Sequence, residues 1–123
     1  MSMGYLALGG AIGALSRHWV GSFFIRWTGL GPHYGTFVVN MLGCFLIGFL
    51  GTLVGTRVFI SGPVRYLIFT GFLGAFTTFS TYMLENYLLL EEGHYLQGLG
   101  NMFLSVAVGF LALWLGVVLA RTF

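Results

Sequence analysis

Charge is what this chain has least of. It holds no lysine and no aspartate; five arginines and three glutamates supply its 7% of charged residues. An ordinary soluble domain is roughly a quarter charged, so 123 residues with so little charge cannot dress a soluble surface. Cysteine is nearly missing as well. Cys44 stands alone, which excludes an internal disulfide and any multi-cysteine metal site, and reads as a small packing residue. The arginines are scattered, and a net charge of +2 makes no basic stripe, so no nucleic-acid partner is implied. The first apolar run begins almost at Met1 without a basic lead, unlike a secretory signal.

What is abundant is apolar, at 58% of residues. That surplus has to face lipid, so the chain reads as an integral membrane protein of one domain, 1–123. A hydrocarbon core of about 30 Å takes roughly 20 residues of helix. Stretches at about 3–24, 35–56, 64–90 and 97–120 meet this, and predict an all-α protein of four transmembrane helices. Runs such as Phe103 to Ala120 do not alternate, as the strands of a membrane barrel would. Both prolines fall in connections, Pro32 after Thr28-Gly29-Leu30-Gly31 and Pro63 after Ser61-Gly62; Glu91-Glu92-Gly93-His94 makes the third connection.

With four spans, both termini share a side with the middle loop. Arg57, Arg65 and Arg121 lie there, against Arg26 opposite, joined by Arg17 only if that residue lies near the membrane boundary. Arginine near span ends favours the cytoplasm, and this bias is weak enough for insertion in both orientations. A single orientation fixed by a partner is the alternative. Small residues stand four apart at Gly9 and Gly13, Gly10 and Ala14, Cys44 and Gly48, Gly51 and Gly55, and Gly71 and Ala75. Such rows let helices approach closely in lipid.

Polar residues inside spans are costly and point to function. Thr36, Asn40 and Cys44 line one face of the second span; Asn101, Ser105 and Gly109 line one face of the fourth. Each stripe can be a ligand surface or glue between helices. In the third span Gly71 and Gly74 precede Thr77-Thr78-Phe79-Ser80-Thr81. Glycine and β-branched residues weaken a helix, and a break here would bare backbone groups at mid-membrane depth. An intact helix with back-bonding hydroxyls is the other possibility. Arg17 and Glu85 are charges inside spans, either structural or gating. No catalytic or metal-binding spacing is present, so no enzyme is expected.

Three blocks then resemble a known family, the small fluoride channels called Fluc or CrcB. They are Gly9-Gly10-Ala11-Ile12-Gly13-Ala14-Leu15-Ser16-Arg17, Gly35-Thr36-Phe37-Val38-Val39-Asn40-Met41-Leu42-Gly43, and Gly71-Phe72-Leu73-Gly74-Ala75-Phe76-Thr77-Thr78-Phe79-Ser80-Thr81-Tyr82. The resemblance implies an antiparallel homodimer of dual-topology subunits with a broken third helix, in a prokaryotic cell membrane. It implies passive export of fluoride, relieving its toxicity, through pores at the subunit interface. Asn40, Phe79, Thr81, Tyr82 and Ser105 fall at pore positions, and Glu85 at a family acid. The Gly74 and Thr77 carbonyls would hold a structural sodium ion between subunits. Tyr82 stands where a second phenylalanine is usual, and Gly109 and Ala75 replace a frequent serine and glycine. The rival reading is a small multidrug exporter of similar length; those carry an acid in the first span, and this span has Arg17 and no acid.

Overall fold

Glycine and proline punctuate the chain before packing begins. The computed structural model describes residues 2–123; Met1, the first residue of the expected domain 1–123, lies outside them. Helix α1 (Ser2–Thr28) stops at Gly29, whose φ of 72° suits a residue without Cβ, and the Gly29 N–H donates to the Ile25 carbonyl at 2.8 Å. Helix α2 (Pro32–Thr56) opens with proline in its first turn, where the missing N–H leaves no bond unmade. Ser61 accepts from the Val64 N–H at 3.4 Å and so caps α3 (Gly62–Arg65).

The chain then widens into a π-helical segment, Tyr66–Leu73, tightens into α4 (Gly74–Phe76), breaks, and resumes as α5 (Ser80–Glu91). Helix α5 ends in a Schellman turn. His94 N–H donates to the Leu89 carbonyl at 2.8 Å and Gly93 N–H to the Leu90 carbonyl at 3.1 Å, with Gly93 at φ 85°. Helix α6 (Tyr95–Arg121) follows at once.

The described residues form an all-helical structure. Three segments have the length and apolarity to cross a membrane: Pro32–Thr56, Gly62–Glu91 and Tyr95–Arg121. Helix α1 has 27 residues, enough length, but it carries Arg17, His18 and Arg26 and is not among the three.

Helix α2 packs chiefly on α6, and α1 on the π segment. Both seams are closed by glycine. A Cβ on Gly48 would strike the Leu113 carbonyl, and one on Gly116 would strike the Phe45 carbonyl, so α2 and α6 touch backbone to backbone. Gly9 and Gly13 meet the Leu67 and Phe72 carbonyls in the same way. The Gly10 and Gly55 positions of the other expected rows face open space within one chain. Leu8, Ile12, Leu15, Trp19 and Phe23 on α1, and Phe103, Val106, Phe110 and Trp114 on α6, are all exposed. That is untenable in water and ordinary against lipid tails.

Candidate functional site

The break in the third segment is the centre of the site. Thr77 turns extended, with φ −93° and ψ 159°. A helix would give the Thr78 N–H to the Gly74 carbonyl; here it goes to Asn40 Oδ1 at 2.8 Å. In return Asn40 Nδ2 donates to the Thr78 carbonyl at 3.0 Å. One side-chain amide from α2 thus satisfies both backbone groups of Thr78. The Thr78 hydroxyl accepts from the Thr81 N–H at 3.4 Å, starting α5. Arg17 Nε donates to the Ala75 carbonyl at 3.0 Å, satisfying another group that lies in the last turn before the break. Thr77 folds its hydroxyl back onto the Leu73 carbonyl at 3.1 Å.

The carbonyls of Gly74 and Thr77 are among the groups left over. Among the described residues no backbone or side-chain donor reaches the oxygen of Gly74 or of Thr77. Gly43 faces Thr77: a Cβ there would collide with the threonine methyl, so α2 must be bare at this point.

A cavity of about 390 Å³ opens beside the break and gathers Asn40, Gly74, Thr77, Phe79, Tyr82 and Ser105. Its lining contains no charged side chain. Phe79 is 72% exposed, while Tyr82 is only 6% exposed. Their ring centroids lie 5.7 Å apart at 50°. The Tyr82 hydroxyl donates to the Met102 carbonyl on α6 at 3.1 Å, so this ring is tied into the bundle. Thr81 is half-buried and lies outside the lining.

A second cavity, about 180 Å³, lies across the break and holds Arg17, His18, Ser22, Thr36, Thr78 and Glu85. Thr78 borders both spaces. The Thr36 hydroxyl donates to Glu85 Oε2 at 2.9 Å, while Oε1 is buried with no partner among the described residues. Arg17 and Glu85 share this cavity without forming an ion pair among the described residues. Arg17 bonds instead to backbone, at the Ala75 carbonyl.

The polar stripe on α6 has a partner that sequence reasoning did not single out. Asn86, wholly buried on α5, accepts from Asn101 Nδ2 at 2.6 Å. The only signal for it was a polar residue inside a span, next to the more conspicuous Glu85. The sequence-predicted residues therefore fall into three groups around one break: Asn40, Gly74, Thr77, Phe79, Tyr82 and Ser105 together, Arg17 with Glu85, and Thr81 apart.

The family model described as CrcB-like protein, Camphor Resistance (CrcB), matches residues 4–117. A relative from Chloroflexus aurantiacus named fluoride-specific ion channel FluC is 47% identical over 118 residues, spanning 96% of this chain and 94% of its own. The protein of that name from Desulforapulum autotrophicum is 42% identical over 117 residues, spanning 95% and 94%. That from Methylococcus capsulatus is 44% identical over 121 residues, spanning 98% of this chain and 53% of its own length.

Proposed function

The chain belongs to the CrcB family, and on that premise we propose that it is a fluoride channel, passively exporting the ion across the cell membrane. One observation carries the reading: a helix break clipped by Asn40, with exposed Phe79 and the Ser105 hydroxyl around the same uncharged cavity. Fluoride is small and tightly hydrated, so a pathway has to replace water's hydrogens with its own. Ser105 offers a hydroxyl, Asn40 keeps one amide hydrogen beyond its bond to Thr78, and the edge of an aromatic ring is positive. No step consumes energy, so fluoride runs down its electrochemical gradient, and no catalysis is involved.

The assembly is an antiparallel homodimer of dual-topology, four-span subunits, with α1 as the additional span. Phe79 exposed on a mid-membrane break, and the bared apolar faces of α1 and α6, support a second copy closing the pathway. The Gly74 and Thr77 carbonyls suit a sodium ion held between copies: they lack donors, and uncharged oxygens fit a hard cation. Among the described residues no cluster of His, Cys, Asp or Glu competes for the role. Bound there, sodium would supply a fixed positive charge near the path of an anion. The remaining residues work as a frame: Asn40 and Arg17 hold the break open, and Tyr82 and Thr36 tie α5 to its neighbours.

The test is a fluoride-electrode trace from proteoliposomes containing this chain alone, with potassium and valinomycin to balance charge. Rapid fluoride release without a proton gradient is the expected result. Absence of release, or release only when protons are supplied, overturns the reading.

A further inference from the structure

We propose that Asn86 and Asn101 form a two-position amide relay that decides whether the Ser105 hydroxyl donates to the protein or to a passing anion. The proposal rests on the reading above that Ser105 lines the ion path.

The chain of bonds runs from α5 to the cavity. Asn101 Nδ2 donates to Asn86 Oδ1 at 2.6 Å, which turns Asn101 Oδ1 toward Ser105. Ser105 Oγ donates to that oxygen at 3.4 Å. A hydroxyl bond usually lies near 2.7–2.8 Å, so this last link is weak. In this arrangement the single Ser105 hydrogen is spent on the protein. The anion would meet lone pairs.

A second arrangement exists at no cost in volume, because the two ends of a side-chain amide have nearly the same shape. If both amides turn over, Asn86 Nδ2 donates to Asn101 Oδ1, and Asn101 Nδ2 donates to Ser105 Oγ. The Ser105 hydrogen is then free to point into the cavity that Ser105 lines. Asn86 gives a reason for the balance between the two. It is wholly buried, and its Nδ2 has no partner among the described residues in the first arrangement. An unpartnered buried donor is costly, and the second arrangement gives Nδ2 a partner and leaves Oδ1 without one.

An ion can shift such an equilibrium only by binding one state better. A hydroxyl donating to an anion makes a charge-assisted bond, stronger than a neutral one, whereas a lone pair facing the anion repels it. Fluoride occupancy therefore favours the turned relay, and its departure lets Ser105 fall back on Asn101. Asn86 and Asn101 are positioning residues, acting through Ser105.

The experiment measures fluoride efflux from proteoliposomes holding the parent, Ser105→Ala, Asn101→Leu, and the double variant. Losing a donor to an ion costs about tenfold or more in rate, so both single variants should fall by about that factor. With Asn101 gone, the serine hydroxyl is expected to turn back onto its own helix carbonyl. The double variant should be no slower than Ser105→Ala, because the relay has nothing left to orient. Multiplied losses in the double variant, or an Asn101→Leu channel as fast as the parent, overturn the relay. Asn86→Leu repeats the comparison one bond further away; should it fail to assemble, the half-exposed Asn101 decides. A parent that releases no fluoride sinks the channel reading itself. A conducting parent matched by Ser105→Ala leaves the channel standing and overturns the relay alone.

Discussion

Replacing Asn40 by leucine is the sharpest perturbation available, because one side chain satisfies two backbone groups of a broken helix. Leucine is of similar size, so packing against the cavity is little changed. The Thr78 N–H and carbonyl would each lose their partner, at 2.8 and 3.0 Å, in a half-buried position. An unsatisfied buried polar group costs about 1–3 kcal/mol, so two come to about 2–6 kcal/mol. The chain has one local remedy, which is to close the helix and return the Thr78 N–H to Gly74. That remedy rotates Phe79 and removes the free Gly74 carbonyl. Asn40→Leu should therefore lose both stability and fluoride flux. Asn40→Asp keeps an acceptor for the N–H but sets a carboxylate oxygen against the Thr78 carbonyl and against the anion, so its flux should fall further than its stability. The assay pairs electrode traces with the fraction of folded protein surviving graded heating in detergent, read by size exclusion. An Asn40→Leu protein within about 0.5 kcal/mol of the parent, with parental flux, would refute the clip.

Phe79→Ile should cut flux severely while leaving the protein folded, since bulk and apolarity are kept but the positive ring edge is lost; unchanged electrode traces would remove Phe79 from the path. Tyr82→Phe should be mild, costing about 0.5–1.5 kcal/mol for the hydrogen bond to the Met102 carbonyl, and a collapse of flux would show that the hydroxyl itself meets the ion. Gly48→Val should drive α2 and α6 apart, because its Cβ has only the Leu113 backbone to push against, whereas Gly4→Ala meets nothing within 4 Å and should leave yield and melting unchanged. Replacing sodium by N-methylglucamine on both sides of the membrane should lower flux if the Gly74 and Thr77 carbonyls hold the ion, and parental flux in its absence would exclude that role.

Much of the architecture was legible because lipid enforces simple rules. Long apolar runs between Pro32, Pro63 and Gly93 had to be helices, since no other open structure satisfies its backbone in hydrocarbon. Glycines four apart pointed to close seams, and Gly9 with Gly13 forms one within the chain. Gly48 finds its counterpart in Gly116 on α6, a pairing that no local spacing contains. The π-helical stretch Tyr66–Leu73 was not legible. Ile68, Thr70 and Gly71 weaken a helix without selecting a wider one, and Gly71 presses within reach of the Leu6 carbonyl, so the widening coincides with a tertiary contact with α1.

The site divides in the same way. Thr77-Thr78 after Gly74 announced a weak helix, because each of these residues disfavours it locally. What the local pattern lacked was the partner that makes a break tolerable. Asn40 was visible as a polar residue on a face with Thr36 and Cys44, and there it could equally have been glue or ligand. The geometry gives it a holding role of a particular kind, on a non-helical residue rather than a second helix, and leaves one of its amide hydrogens beyond that bond. Arg17 satisfies the carbonyl of Ala75, in the last helical turn before the break, from a helix more than fifty residues away in sequence. A break that needs two distant side chains to satisfy it is a local rule violated and compensated elsewhere, the usual mark of a functional position. Removing the compensation should therefore repair the helix before it unfolds the protein, and a repaired helix should conduct nothing.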